Sequence, residues 1–140
     1  MNRAVWSVQL LLAVLFLGAG GTKILTPTPE LAARFTWVVY VPSWSPKVIG
    51  VLELAGAVGL VAPAATGIIP ALTPAAAAGL ALTMAVAGLL HIRLGEYSQA
   101  VVPLVLLALC FFVAHGRLRS DALGRMAAHE RDPSEPADNA

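Results

Sequence analysis

The chain has 140 residues, a formal net charge of +1, and 12% charged against 58% hydrophobic residues. A soluble domain carries about 25% charged residues, so this chain lacks the polar groups to cover a water-facing surface. Its few basic residues are dispersed, which excludes a nucleic-acid-binding role built on a basic patch.

The charge-free stretches carry the fold class. Nineteen residues between Arg3 and Lys23 have no charge, nor do thirty-seven between Glu53 and His91 or eighteen between Glu96 and His115. A membrane-spanning helix needs roughly 20 mostly apolar residues. The expected fold is all-α, an integral membrane four-helix up-down bundle over residues 1–119, with the lipid bilayer as its first partner.

Span one is expected over about 5–25. Its apolar run is long for a signal peptide, and Lys23 closes it where small residues would mark a cleavage site. It is therefore read as a retained helix. The segment "TPTPELAARFTWVVYVPSWSPK" holds four prolines, two tryptophans and a tyrosine. Proline stops helices and Trp and Tyr favour the membrane interface. An interfacial loop is expected here, with a short helix over 29–39.

Span two is expected over about 46–63, with Pro46 well placed at a helix start. The charge-free run after Glu53 would reach roughly 55 Å as one helix, so it must turn within "PAATGIIPALTP". Span three follows over about 74–94 and ends at Gly95; span four covers about 101–118. Residues 120–140 form a polar tail, its last ten residues expected to be disordered.

Cys110 is the only cysteine. No intrachain disulfide and no CxxC pair can form, which excludes disulfide shuttling by the chain's own thiols. Cys110 reads as a small buried hydrophobe.

Four spans put both termini on one side. Arg3, Arg117, Arg119 and Arg125 lie by the termini, against Lys23, Arg34, Lys47 and Arg93 by the opposite loops. The count is a tie. The Arg cluster directly after span four favours cytoplasmic termini in a plasma (inner) membrane.

Up-down topology gathers Lys23, Glu53, His91, Arg93 and Glu96 at one membrane face. Glu53 shares its helix face with Ile49, Gly50, Gly56, Ala57 and Leu60; His91 with Met84, Gly88 and Gly95; Lys23 with Ala19 and Gly20. Small residues suit close helix packing in membranes, so these faces are expected to point inward. Arg93 points elsewhere, toward the headgroups. Ionisable groups inside a membrane are functional candidates by default. Lys23, Glu53 and His91 are the candidate ligand-binding residues, with Glu53 and His91 the candidate catalytic pair. The competing readings are an ion pair that fixes helix register, a solvated interfacial His91 and a Lys23 that snorkels to the headgroups. His91, Glu53 and Glu96 offer too few convergent ligands for a metal site.

Four segments resemble DoxX-like membrane proteins: "LFLGAGGTKIL" at 15–25, "GVLELAGAVGLVAPA" at 50–64, "AVAGLLHIRLGE" at 85–96 and "AHGRL" at 114–118. The resemblance spans residue 3 to about 119. It implies a four-helix membrane bundle of bacterial type. That family takes its name from a subunit of an archaeal thiosulfate:quinone oxidoreductase. Some members are linked to oxidative-stress or thiol-redox systems, and relatives outside bacteria include membrane chaperones and cargo receptors. A family likeness carries fold further than function.

Three functions stay open. The first is a redox-associated subunit that binds a quinone or other lipophilic molecule near Lys23, Glu53 and His91. There is no CxxCH, no iron–sulfur spacing and no GxGxxG after a strand, so no intrinsic cofactor is expected and electrons would need a redox partner protein. The second is a non-enzymatic scaffold or assembly partner of another membrane protein, with the small-residue stripes as interfaces. The third is a small acid/base enzyme acting on a lipophilic substrate through Glu53 and His91. One copy leaves little room for a pore, and a homo-oligomer stays open.

Overall fold

The computed structural model describes residues 3–131. The chain forms α1 (Arg3–Leu25), α2 (Thr28–Arg34), a short 3-10 helix (Thr36–Tyr40), α3 (Ser45–Thr66), α4 (Leu72–Arg93) and α5 (Tyr97–Arg131). The stretches Arg3–Leu25, Ser45–Thr66, Leu72–Arg93 and Tyr97–Gly124 are each long and apolar enough to cross a membrane. The all-helical bundle follows from the composition. Lipid offers no hydrogen bonds, so each backbone must pair its polar groups within its own helix.

The connections are set by backbone chemistry. Gly67 ends α3 in the left-handed region, φ 72°, a conformation that suits a residue without Cβ. Gly95 does the same after α4, φ 75°. There the Glu96 N–H donates to His91 O and the Gly95 N–H to Ile92 O, a Schellman closure that folds the chain back on its own last turn. Lys47 Nζ donates to Ile24 O (2.8 Å) and Thr26 O (2.5 Å), covering the carbonyl end of α1 with a cation.

The segment between α1 and α3 differs from one short helix over 29–39. It breaks at Phe35, which is extended (φ −129°, ψ 108°), into α2 and the 3-10 helix. Leu31 and Val38 are buried and pin the two pieces to the bundle. α5 also differs from a span ending at 118. It runs on to Arg131, because beyond residue 118 no proline interrupts it before Pro133 and most of its tail residues favour helix. Of the ten C-terminal residues expected to be disordered, 132–140 lie outside the described residues.

The helices pack around a ring in the order α1, α3, α4, α5. α1 and α3 pair closely where Gly20 meets Gly50: a Cβ on Gly20 would stand 2.8 Å from Gly50 O. α4 and α5 pair likewise, with Gly88 against Leu104. The two pairs join toward the end that carries the termini. There Gly56 packs on Leu80, Gly59 on Ala76 and Gly116 on Val5. The buried core lies in the same half, built from Val5, Leu12, Phe16, Leu60, Leu80 and Val113 with smaller neighbours. The opposite half has no comparable core, and the space between the pairs is a cleft.

Candidate functional site

Lys23 and Glu53 meet in the open half. Lys23 Nζ donates to Glu53 Oε1 (2.9 Å) and Oε2 (2.7 Å), so one ammonium spans both carboxylate oxygens. Glu53 is 2% exposed and the Lys23 side chain 18%. The Gly20–Gly50 approach makes this possible. It draws α1 and α3 together three residues before each charged side chain, almost one helical turn away. Gly50, Glu53, Ala57 and Leu60 are all buried on one face of α3, the stripe that the small residues mark out.

The pair sits on the wall of a cleft of about 510 Å³. All four long helices line it, through residues such as Phe16 and Ala19 on α1, Ile49 on α3, Ala87 on α4 and Pro103 on α5. Trp37 and Pro42 of the interfacial segment close its outer end. Apart from the ion pair and the Trp37 indole N–H, its polar side chains, Ser45 and Thr83, spend their hydroxyl protons on the carbonyls of Pro42 and Gly79. The cleft therefore offers a mostly apolar volume with one concentrated polar spot. Leu52, Leu82 and Val102 line it and are also well exposed at the bundle surface, so it opens sideways toward the hydrocarbon layer.

The structure does not bring His91 to Glu53. His91 Nδ1 lies 2.7 Å from Glu96 Oε2. This is a local pairing made by the Schellman closure, which sets Glu96 beside the last turn of α4. His91 is absent from the cleft lining. Arg93 is exposed. Among the described residues no three His, Cys, Asp or Glu side chains converge as metal ligands. Cys110 is fully buried in the core.

A second polar cluster lies at the opposite end, where the sequence shows Gln9 as one of few polar residues but not its pairing with Arg117. Gln9 is fully buried; its Nε2 donates to Leu60 O, and its Oε1 accepts from Arg117 Nε at 2.8 Å. The Arg117 guanidinium lies 4.6 Å from the centroid of the Trp6 ring, a cation–π contact. One side chain from α1 thus ties α3 and α5 together. Arg117 had counted as a cytoplasmic flank charge; it is an interior group. The signal available was a Gln inside a transmembrane stretch, which demands a partner.

No curated protein and no solved structure matches the chain. A model of the DoxX-like family matches residues 7–113, which takes in the Lys23–Glu53 pair, the cleft and the greater part of all four spans. The chain is a multi-pass membrane protein and belongs to the DoxX-like family.

Proposed function

We propose that the chain binds a lipophilic small molecule of the quinone type in the cleft, as the membrane subunit of a redox assembly. The observation that carries this reading is the apolar cleft of about 510 Å³ with a single ion pair on its wall. Ligand pockets of roughly 300–1,000 Å³ with few polar groups suit small apolar molecules. The residues present fit a ring carbonyl. An ammonium has three N–H donors; Lys23 directs two to Glu53, and the third can reach a ligand oxygen. Glu53 can accept from a ligand hydroxyl. A bound quinone would supply two-electron, two-proton carbonyl chemistry, with the electrons coming from a partner protein. Lys23 and Glu53 orient the polar edge, and the apolar wall excludes water. We further read the membrane as a plasma (inner) membrane with cytoplasmic termini, on the basic residues Arg119 and Arg125 that follow span four.

The test is native mass spectrometry of gently extracted protein, with extraction of bound lipophilic molecules. The expected result is a stoichiometric quinone that is lost in Lys23→Met. A chain that carries no apolar small molecule overturns the reading.

The Gly20–Gly50 approach favours a second reading. The ion pair beside it also serves as a register lock for α1 and α3, as it would in a scaffold without catalysis. Under that reading Glu53→Gln lowers stability but leaves partner assembly intact in the folded fraction. A folded Glu53→Gln protein that fails to assemble counts against it.

A further inference from the structure

Lys23 borders two spaces. Beside the cleft lies a smaller pocket of about 260 Å³ lined by Gly18, Ala19, Thr22, Lys23, Phe35 and Trp37. Ala19, Lys23 and Trp37 line both. The smaller pocket lies under the interfacial segment, at the level where Trp and Tyr mark the headgroup region. The cleft reaches into the hydrocarbon level. An ammonium with one uncommitted N–H among the described contacts stands between them.

From this layout we infer that the smaller pocket is a headgroup subsite, and that the ligand is an uncharged amphiphile. Its hydroxyl- or carbonyl-bearing head sits beneath Trp37 and Phe35, and its single chain runs into the cleft. The inference rests on the cleft being a ligand site and names the class of molecule that fills it. Charge decides the head. The Lys23–Glu53 pair is neutral as a whole, since one ammonium already holds both carboxylate oxygens, so an anionic or a cationic head would enter this low-dielectric space with no free counter-charge and bear the desolvation of a buried ion. A neutral head avoids that penalty. It accepts the third N–H of Lys23, and its hydroxyl can donate to Thr22 Oγ1, whose own proton goes to Gly18 O. Size agrees. The pocket is about half the volume of the cleft, which suits a small polar head joined to a longer apolar part. Access agrees too, since the cleft opens sideways to the layer in which such amphiphiles are dissolved.

Trp37 lines both spaces and reports on each. The chain has three tryptophans, and Trp6→Phe with Trp44→Phe leaves Trp37 alone. The probe is a monoacylglycerol brominated in mid-chain, titrated into nanodiscs of unbrominated phosphatidylcholine that hold the full chain. Two further substitutions separate the pockets. Gly18 lines only the smaller pocket, and a Cβ there meets nothing within 4 Å, so Gly18→Phe adds bulk at that pocket with no clash at its Cβ. Ala87 lines only the cleft, which Ala87→Phe fills. Unfolding midpoints establish that each variant is folded. The expected result is saturable quenching of Trp37, weakened at least tenfold by either substitution. Phosphatidylcholine with the same brominated chain should quench only in proportion to its bulk content. Quenching that Ala87→Phe abolishes and Gly18→Phe leaves unchanged overturns the headgroup subsite while the cleft stands. No saturable quenching by the monoacylglycerol also overturns it, and a quinone titration of the same protein then decides the cleft separately.

Discussion

Lys23 and Glu53 face each other across the α1–α3 interface with both carboxylate oxygens within 2.9 Å of one ammonium. Their exposures are unequal, 18% for Lys23 and 2% for Glu53. Truncating one partner of a buried pair is worth about 3–5 kcal/mol. Glu53→Gln leaves a lysine that can extend toward the headgroups, so its loss should fall at the low end of that range. Lys23→Met strands a carboxylate and should lose more. The double variant Lys23→Met/Glu53→Gln should recover most of the stability. Unfolding midpoints in mild detergent measure all three. A double variant as unstable as Lys23→Met would show that the pair does not act as a unit.

Binding and stability should come apart in that same double variant. It restores packing but removes the ammonium and the charged carboxylate from the cleft wall. The expected outcome is a folded protein whose quinone affinity in nanodiscs has fallen at least tenfold. Full retention of affinity would assign the ion pair to the register lock and leave the apolar cleft wall to hold the ligand by itself.

The same pair shows how far the sequence can be read. Lys23 and Glu53 each stand on a stripe of small residues, and facing stripes are what lets two membrane helices meet. Periodicity alone carries that information. The place of His91 was not legible in the same way. Its partner is chosen by the Schellman closure at Gly95, a local backbone event that overrides the helix face. Arg117 was hidden for another reason. An arginine near a span end looks like a flank charge, and its hydrogen bond to Gln9 links residues 108 positions apart in a ring of helices whose closure no local pattern reveals.

Because His91 bonds to Glu96 outside the cleft, His91→Ala should leave ligand binding unchanged. Stability should fall by about 1 kcal/mol, the net worth of one partly exposed hydrogen bond. Isothermal titration with a short-chain quinone, paired with an unfolding curve, reads both. A tenfold loss of affinity in a folded His91→Ala protein would restore His91 to the site.

The Gly20–Gly50 approach sets the distance at which the ion pair forms. A Cβ on Gly20 would lie 2.8 Å from Gly50 O, and one on Gly50 would lie 2.9 Å from Gly20 O. Both obstacles are backbone atoms, so the helices themselves must separate. Gly50→Val should therefore destabilise the chain more than Glu53→Gln does. Gly18→Ala on the same helix should be neutral or slightly stabilising, since nothing lies near its Cβ and Ala favours helix by about 1 kcal/mol over Gly. Unfolding midpoints that rank Gly18→Ala below Gly50→Val would contradict this packing.

Gln9 holds the closed end from the centre. Its amide donates to Leu60 O and accepts from Arg117, so a single side chain joins α1 to both neighbours. Gln9→Leu fills similar space but leaves the buried guanidinium without that acceptor. Losing one hydrogen bond to a buried charged group costs about 1.5–3 kcal/mol. Gln9→Leu should therefore destabilise, and Gln9→Leu/Arg117→Met should recover part of the loss while sacrificing the contact to Trp6. The closed end joins the two helix pairs that border the cleft. If it holds the two helix pairs at a fixed angle, Gln9→Leu should weaken quinone binding about as much as it raises hydrogen exchange at the α1–α5 contact, although it lies far from Lys23. Exchange measured by mass spectrometry alongside the titration tests the link. Faster exchange with unchanged affinity would make the closed end a stability element alone, and the cleft a cavity held open by the α1–α3 and α4–α5 pairs individually.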